Sequence, residues 1–434
     1  MIFRLALSVA TLALLAGCES GGSQSSLPAS GLRAAGVGAA YATEKVLYSF
    51  AGGTDGGGPV GSIVFDPSGN AFGTTHFGGI SSCGGNVGGG CGVVFELSPS
   101  KSGGWRESPL YAFADASDGG FPNAGVIIDK NGNLFGTAST GGNFQCSIGC
   151  GVVYELRKSS DWSESVLHAF SGGDGQFPNA VLLPTATGTF YSTTWYGGSS
   201  GAGTVFAMTP GSATWTESVL YSFAGTTDGS APAAGVVADG TGNLYGTTYK
   251  FDGDNDGVAY ELGKQSRGSW KDRVLYSFTG NGGGEDPYAG LIVLAKGKLY
   301  GTTIEGGANG SGVAFALVLR NGKHWSEKVI HQFGAAGDGS TPYGGLVADH
   351  AGNLFGTTVF GGTNNAGTVY EITPARGGKW KERLLYSFTG GADGANPSGT
   401  LTFDSAENLY GTAEGGGKNG YGVVFEIAKA PSFE

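Results

Sequence analysis

Runs of lysine or arginine are missing from this chain of 434 residues. Its 24 basic residues are scattered and are outnumbered by 35 acidic ones, for a net charge of −11. Phosphate recognition needs clustered cations, so nucleic-acid binding is disfavoured, and so is adhesion to an anionic membrane surface. No apolar run approaches the ~20 residues that span a bilayer as a helix. The longest, at residues 5–15, falls far short. No apolar stripe of helical period follows it. Catalytic signatures are missing too. There is no HExxH and no phosphate-binding GK[ST]. "GGSSG" at 197–201 matches G-x-S-x-G, but it lies between strand-like runs and not at a strand-to-helix elbow. "SPSK" at 98–101 has no partner motif.

Glycine is abundant instead, at 86 residues, with no three-residue period. The chain is still 40% hydrophobic and 12% aromatic, which separates it from disordered and collagen-like sequences. Glycine clusters between apolar runs, the pattern of many short strands joined by tight turns.

Those runs recur. "EKVLYSF" at 44–50 returns as "ESPLYAF", "ESVLHAF", "ESVLYSF", "DRVLYSF", "EKVIHQF" and "ERLLYSF", with the final Phe at 50, 113, 170, 223, 278, 333 and 388. Each period runs through an Asp-Gly turn, a Pro, "GLVAD", a tight turn, "GNLYGTT", a Gly-rich loop, "GTVYEI", another turn and "W-x-E-x-L-L-Y-S-F". That is four strand-like runs, a to d, rich in β-branched and aromatic side chains. Pro59, Pro122, Pro178, Pro232, Pro287, Pro342 and Pro397 precede strand a, where no ladder donor is needed.

Four-stranded units of this length, repeated four to eight times, indicate a β-propeller. Strands a, b and c occur seven times, and strand d occurs seven times only if residues 44–50 are counted. The expectation is an all-β, seven-bladed β-propeller of four-stranded blades. The N-terminal strand pairs with the C-terminal blade and closes the ring, leaving no free edge there. An open β-solenoid, the alternative, has no need of a remainder that completes a whole number.

"GNLYGTT…GG…GTVYEI" resembles the GloVer tandem repeat of bacterial surface proteins, a family that pairs this repeat with differing anchors. The resemblance covers residues 44–428 and implies no agreed activity. The third copy departs from it with "GTFYSTT", and the fifth has Gly283 in place of the turn Asp. Upstream, "LAGC" at 15–18 resembles the lipobox of bacterial lipoproteins. It implies a signal peptide at 1–17 and a lipid on Cys18, with Glu19 favouring the outer membrane of a cell that has one. Residues 18–42 then form a flexible tether, and 43–434 the propeller. A Gly/Ser-rich coil of this length spans about 27 Å on average.

Propeller topology brings the d–a and b–c loops to one face. The d–a loops carry Asp55, Asp118, Asp174, Asp228, Asp338 and Asp393, each followed by Gly. The Asp-Gly pairs suit turns; as a ring they suit a cation or a polar ligand. Phe121, Phe177, Tyr288 and Tyr343 beside the prolines, and Trp195, Tyr196 and Phe360 after strand b, belong to the same face. These rings pack between blades in one reading and grip a sugar or protein ligand in the other. "FDGDNDGVAYEL" places Asp252, Asp254, Asp256 and Gly257 in D-x-D-x-D-G, the oxygen pattern of a short calcium turn, although Gly263 stands where a full calcium loop has Glu.

Past a signal peptide, cysteines are expected to pair. Cys83 with Cys91 and Cys146 with Cys150 is the first reading, and a Cys91–Cys150 bond between neighbouring repeats is the second. His168 and His331 replace the Tyr of the repeated phrase and are read as packed; the Glu of W-x-E is read as solvated on the outer rim. Seven near-equal units suit a binding or scaffold module at the loop face. A polysaccharide-acting enzyme is the rival, and a His or carboxylate that enters the channel from one blade alone would favour it.

Overall fold

In a computed structural model, the residues described are 41–79, 83, 89–101, 103–249, 256–266, 268–295 and 297–429. The signal peptide, Cys18, residues 19–40 of the tether, Asp252 and Asp254 lie outside them; the last two tether residues, 41 and 42, already belong to the first strand. Among the described residues, seven four-stranded antiparallel sheets form a seven-bladed propeller. The first blade has strands Gly57–Phe65, Ala71–Phe77, Val93–Pro99 and Trp105–Ala112. The last has Thr402–Phe403, Leu409–Ala413 and Val423–Lys429, and its outer strand is Tyr41–Ser49 from the other end of the chain. Glu44 pairs with Ile427, Val46 with Phe425 and Ser49 with Val423.

The middle strands of each blade are covered on both faces, which explains their nearly continuous apolar sequence. Leu134–Ala138 and Leu354–Thr358 are buried at every position. The outer strand is half-exposed and turns its closing Phe inward. Phe50, Phe113, Phe170, Phe223, Phe333 and Phe388 are fully buried.

Neighbouring blades are held by contacts that recur at every junction. Each closing Phe meets the strand-c ring of the next blade, as in Phe113 with Tyr154 and Phe388 with Phe425, both at 5.1 Å. The first Thr of the "GTT" segment donates its hydroxyl to a carbonyl of the next blade. Thr74 reaches Ala124 O at 2.9 Å and Thr247 reaches Ala289 O at 3.0 Å. The residue before each repeat proline donates its backbone N–H to the preceding blade, as Phe121 does to Cys91 O at 2.7 Å and Thr341 to Ser311 O at 2.9 Å. These donors sit at left-handed φ of 52° and 57°, a conformation that costs non-glycine residues about 1–2 kcal/mol. The bond and the proline contact behind it hold them there. A Cβ on Gly92 would lie 2.5 Å from Pro122 Cδ, so only glycine fits at that junction.

The junction between the chain's two ends is built the same way. Thr412 donates to Gly61 O at 3.0 Å, Gly58 N donates to Tyr421 O at 2.9 Å, and Phe50 packs on Phe95 at 5.1 Å. The loops expected on one face also meet. Gly284–Glu285 pairs with Glu305–Gly306, Gly339–Ser340 with Phe360–Gly361, and Gln176 with Tyr196.

Phe50→Ala should therefore cost about 3–5 kcal/mol in denaturant unfolding, as for any core Phe. Phe144→Ala, at a ring 61% exposed, should stay within about 0.5 kcal/mol of wild type. A near-neutral Phe50→Ala would contradict closure by the first strand.

Candidate functional site

The disulfides are Cys83–Cys91 and Cys146–Cys150, with Cα atoms 5.6 and 5.2 Å apart. Each staples one b–c loop, so the bond between neighbouring repeats is not made.

The six turn aspartates sit beside the outer strands. Asp55 accepts from Tyr48 Oη at 3.1 Å and from Ala51 N at 2.7 Å. Asp118, Asp228 and Asp393 accept likewise from Tyr111, Tyr221 and Tyr386 at 2.9–3.0 Å. Asp174 and Asp338 accept from His168 and His331 at 2.9 and 3.0 Å. These carboxylates tie the turn to the strand that precedes it.

A second acid faces each of them from the next blade. It is the acid of the W-x-E phrase, and it is half-buried where solvent was expected. Glu44, Glu107, Glu164, Glu217, Asp272 and Glu382 each keep one buried carboxyl oxygen without a hydrogen-bond partner. Burial first, and then the facing Asp55, pushes Glu107 up to about 8. Burial with Asp118 pushes Glu164 to about 7, and burial with Asp393 does the same for Glu44. The fifth repeat explains its own departure. Gly283 leaves space that a Cβ would close, since that atom would fall 2.3 Å from Glu327 Oε2. Glu327 enters the gap and takes over the missing Asp's bonds, to Tyr276 Oη at 3.1 Å and Gly284 N at 2.9 Å.

A different set of residues converges on the axis. Trp195, in the third blade, lies 5.7 Å from Tyr288, in the fifth, and both approach Tyr249, in the fourth, at 6.2 and 5.8 Å. Rings from blades that are not neighbours can meet only near the centre. Tyr343 adds a ring 4.0 Å from Tyr288. The indole N–H of Trp195 is buried without a partner. Polar groups come from the seventh, first, second and third blades. His76 Nδ1 donates to Asn123 Oδ1 at 2.5 Å, and Asn123 Nδ2 donates to Ser139 Oγ at 2.8 Å and Asn179 Oδ1 at 3.2 Å. Glu414 accepts from Ser398 Oγ. Burial raises the Glu414 carboxyl against the pull of that bond, and burial lowers the His76 imidazole against its bond to Asn123.

Of the aromatics expected on the loop face, Trp195, Tyr288 and Tyr343 join this axial cluster. Tyr196 contacts Phe177 at 5.7 Å and lines a cavity of about 240 Å³ with Ser200, Ala202 and Ser230. Phe121 lies 5.2 Å from His76, and Phe360 is 39% exposed. Asp256 lies on this face, where its carbonyl accepts from Asp286 N at 3.0 Å. Sequence reading missed His76, Asn123, Asn179, Tyr249 and Glu414. Their signal was present in the repeat register. The position after "GTT" holds His76, Ser139, Trp195, Tyr249, Ile304, Val359 and Glu414, a change of chemistry at nearly every turn inside an otherwise constant phrase.

The class of protein is thus a closed seven-bladed propeller of tandem repeats with a chemically varied axial mouth. The Gloeobacter/Verrucomicrobia repeat matches residues 145–347 and 319–433, and the chain belongs to that family. A comparison with curated proteins gives no match. Among solved structures, a hydrazine synthase chain of Kuenenia stuttgartiensis is similar at TM-score 0.54 and 12% identity, covering 87% of this chain and 97% of its own. A chain of a mitotic checkpoint complex is similar at TM-score 0.52 and 11% identity, covering 96% of this chain and 100% of its own. Likeness at these identities is one of fold alone. The propeller and the repeat fit a binding or scaffold module.

The paired acids make a pH prediction. Glu107, Glu164 and Glu44 hold a proton more tightly folded than unfolded, where their ordinary value is 4.5. Their contribution to stability is full below that value and is lost as pH rises through about 7 to 8. Melting temperature should fall between mildly acid and mildly alkaline buffer, and Glu107→Gln should flatten the fall. A melting temperature that rises across that range would contradict the pairing.

Proposed function

We propose that this chain is an exported envelope protein, lipid-anchored through Cys18 after loss of residues 1–17 and, in a cell with two membranes, held at the outer one. Its propeller, joined to the lipid by the tether, binds a glycan at the axial mouth of the d–a/b–c face. One observation carries the binding site: aromatic rings from the third to sixth blades and amide, hydroxyl, imidazole and carboxyl groups from the seventh, first, second and third surround one centre. Sugars present apolar C–H faces and polar hydroxyls together, and a pocket of rings with a few placed polar groups matches both. The buried, unpartnered indole N–H of Trp195 is a donor ready for a ligand oxygen. Two disulfides fit an oxidising compartment.

Glu414 and His76 favour a second reading, that of a glycan-acting enzyme. Each enters the mouth from one blade only, and a carboxyl raised by burial suits a general acid. Calcium, held by Asp252, Asp254 and Asp256, is proposed as a stabiliser of the fourth b–c loop. Millimolar calcium should raise the melting temperature, and Asp254→Ala should abolish the rise; an unchanged wild-type melt would remove calcium from the account.

A glycan array probed with the chain tests the main reading. Trp195→Ala and Tyr288→Ala should each weaken any hit at least tenfold, while Phe144→Ala leaves it intact. Hits that survive both substitutions would place binding elsewhere. Hydrolysis of a hit, lost in Glu414→Gln, would decide for the enzyme.

A further inference from the structure

The geometry points to two divalent transition-metal sites on the outer rim, one formed by His168, Asp174 and Glu217 and the other by His331, Asp338 and Glu382, for an ion such as Zn²⁺. They lie at the junctions of the second blade with the third and of the fifth with the sixth, away from the axial mouth, and do not depend on the glycan reading.

In each triad the imidazole and two carboxylates offer ligand atoms that all lie within 4.8 Å of one another. His168 Nε2 is 2.9 Å from Asp174 Oδ2, and His331 Nε2 is 3.0 Å from Asp338 Oδ2. Two ligands bound to one ion at about 2.0–2.2 Å stand roughly that far apart. One oxygen of the third ligand is already out of contact with water: Glu217 Oε1 and Glu382 Oε1 are buried without a partner. A buried acceptor left without a bond is costly, and a cation would satisfy it. The aspartates are held from behind. Ser171 N and Oγ donate to Asp174 Oδ1 at 2.8 and 3.0 Å, and Gly339 N donates to Asp338 Oδ1 at 2.6 Å. Outer bonds of this kind fix the orientation of metal ligands. The sites remain open to entry, with 23% of the His168 side chain and 18% of His331 exposed. One nitrogen and two carboxylates suit zinc or ferrous iron better than calcium or magnesium, which prefer oxygen alone.

The other junctions are controls built into the same molecule. Glu44, Glu107 and Glu164 carry the same unpartnered oxygen beside Asp393, Asp55 and Asp118. There the third group is a Tyr, whose hydroxyl is spent as a donor to the Asp. Burial and the neighbouring carboxylates keep those phenols protonated, so they offer no strong ligand. Substituting Tyr for His therefore rebuilds an arrangement that the ring already tolerates, and it removes the metal ligand alone.

Equilibrium dialysis of the full chain against micromolar Zn²⁺, with metal analysis, tests the proposal. Wild type should retain two equivalents, His168→Tyr and His331→Tyr one each, and the double variant none, with metal-free melting unchanged. Wild type that retains no zinc, or a double variant that still retains two equivalents, overturns it. Should a substitution unfold the ring, Co²⁺-loaded wild type decides. Paramagnetically shifted signals from two histidines support the sites, and their absence contradicts them.

Discussion

The ring depends on how one blade grips the next. At each junction a glycine before strand c lies against the proline that opens strand a of the following blade, and the residue before that proline donates its N–H back across the gap. The grip demands a glycine with no Cβ on one side and a residue in the left-handed conformation on the other. Gly422 meets Pro59 in this way, with a Cβ position only 2.4 Å from Pro59 Cδ, although the two are far apart in the chain. The protein therefore has no weak seam by design: the junction that joins its ends repeats the bonds of those that join neighbours in sequence. The outer strand supplied by residues 41–49 completes the last sheet and also delivers Phe50 to Phe95 of the first blade.

This repetition divides the sequence into positions that hold the ring and positions that are free to differ. Thr, Gly, Pro and the closing Phe do the first task. The residues after "GTT" and after the proline do the second, because they meet one another near the axis and take no part in the recurring bonds that join the blades. Aromatic rings gather on one arc, and amides, hydroxyls, the His76 imidazole and the Glu414 carboxyl on another. The outer rim shows the same division at smaller scale. Its acid pairs belong to the frame, and the two histidines vary a position that elsewhere holds Tyr. A tandem repeat can thus diversify its surface without disturbing its closure.

Blade number, strand order and closure were legible in the sequence because each rests on a local pattern repeated seven times. The leftover "EKVLYSF" had one place to go. The role of Asp55 and its counterparts was legible in part: Asp-Gly predicted the turn, but not the bond to the Tyr or His of the preceding strand. The burial of the W-x-E acid was not legible, because an acid on an outer strand reads as solvated until the next blade is placed over it. Gly283 looked like a lost turn residue and proved to make room for Glu327. The axial cluster was legible in part: Trp195, Tyr288 and Tyr343 were placed on one face, but Tyr249 and the polar members, roughly fifty residues apart in the chain, were not singled out. The loop disulfides followed the shorter of the two spacings considered.

Hydrogen exchange resolved along the chain tests the closed ring most directly. If residues 44–49 complete the last blade, their amides should exchange at the same slow rate as those of residues 423–429, and both should follow global unfolding. Rapid exchange of residues 44–49, with protection kept at 423–429, would show that the first strand is not part of the frame and would contradict closure.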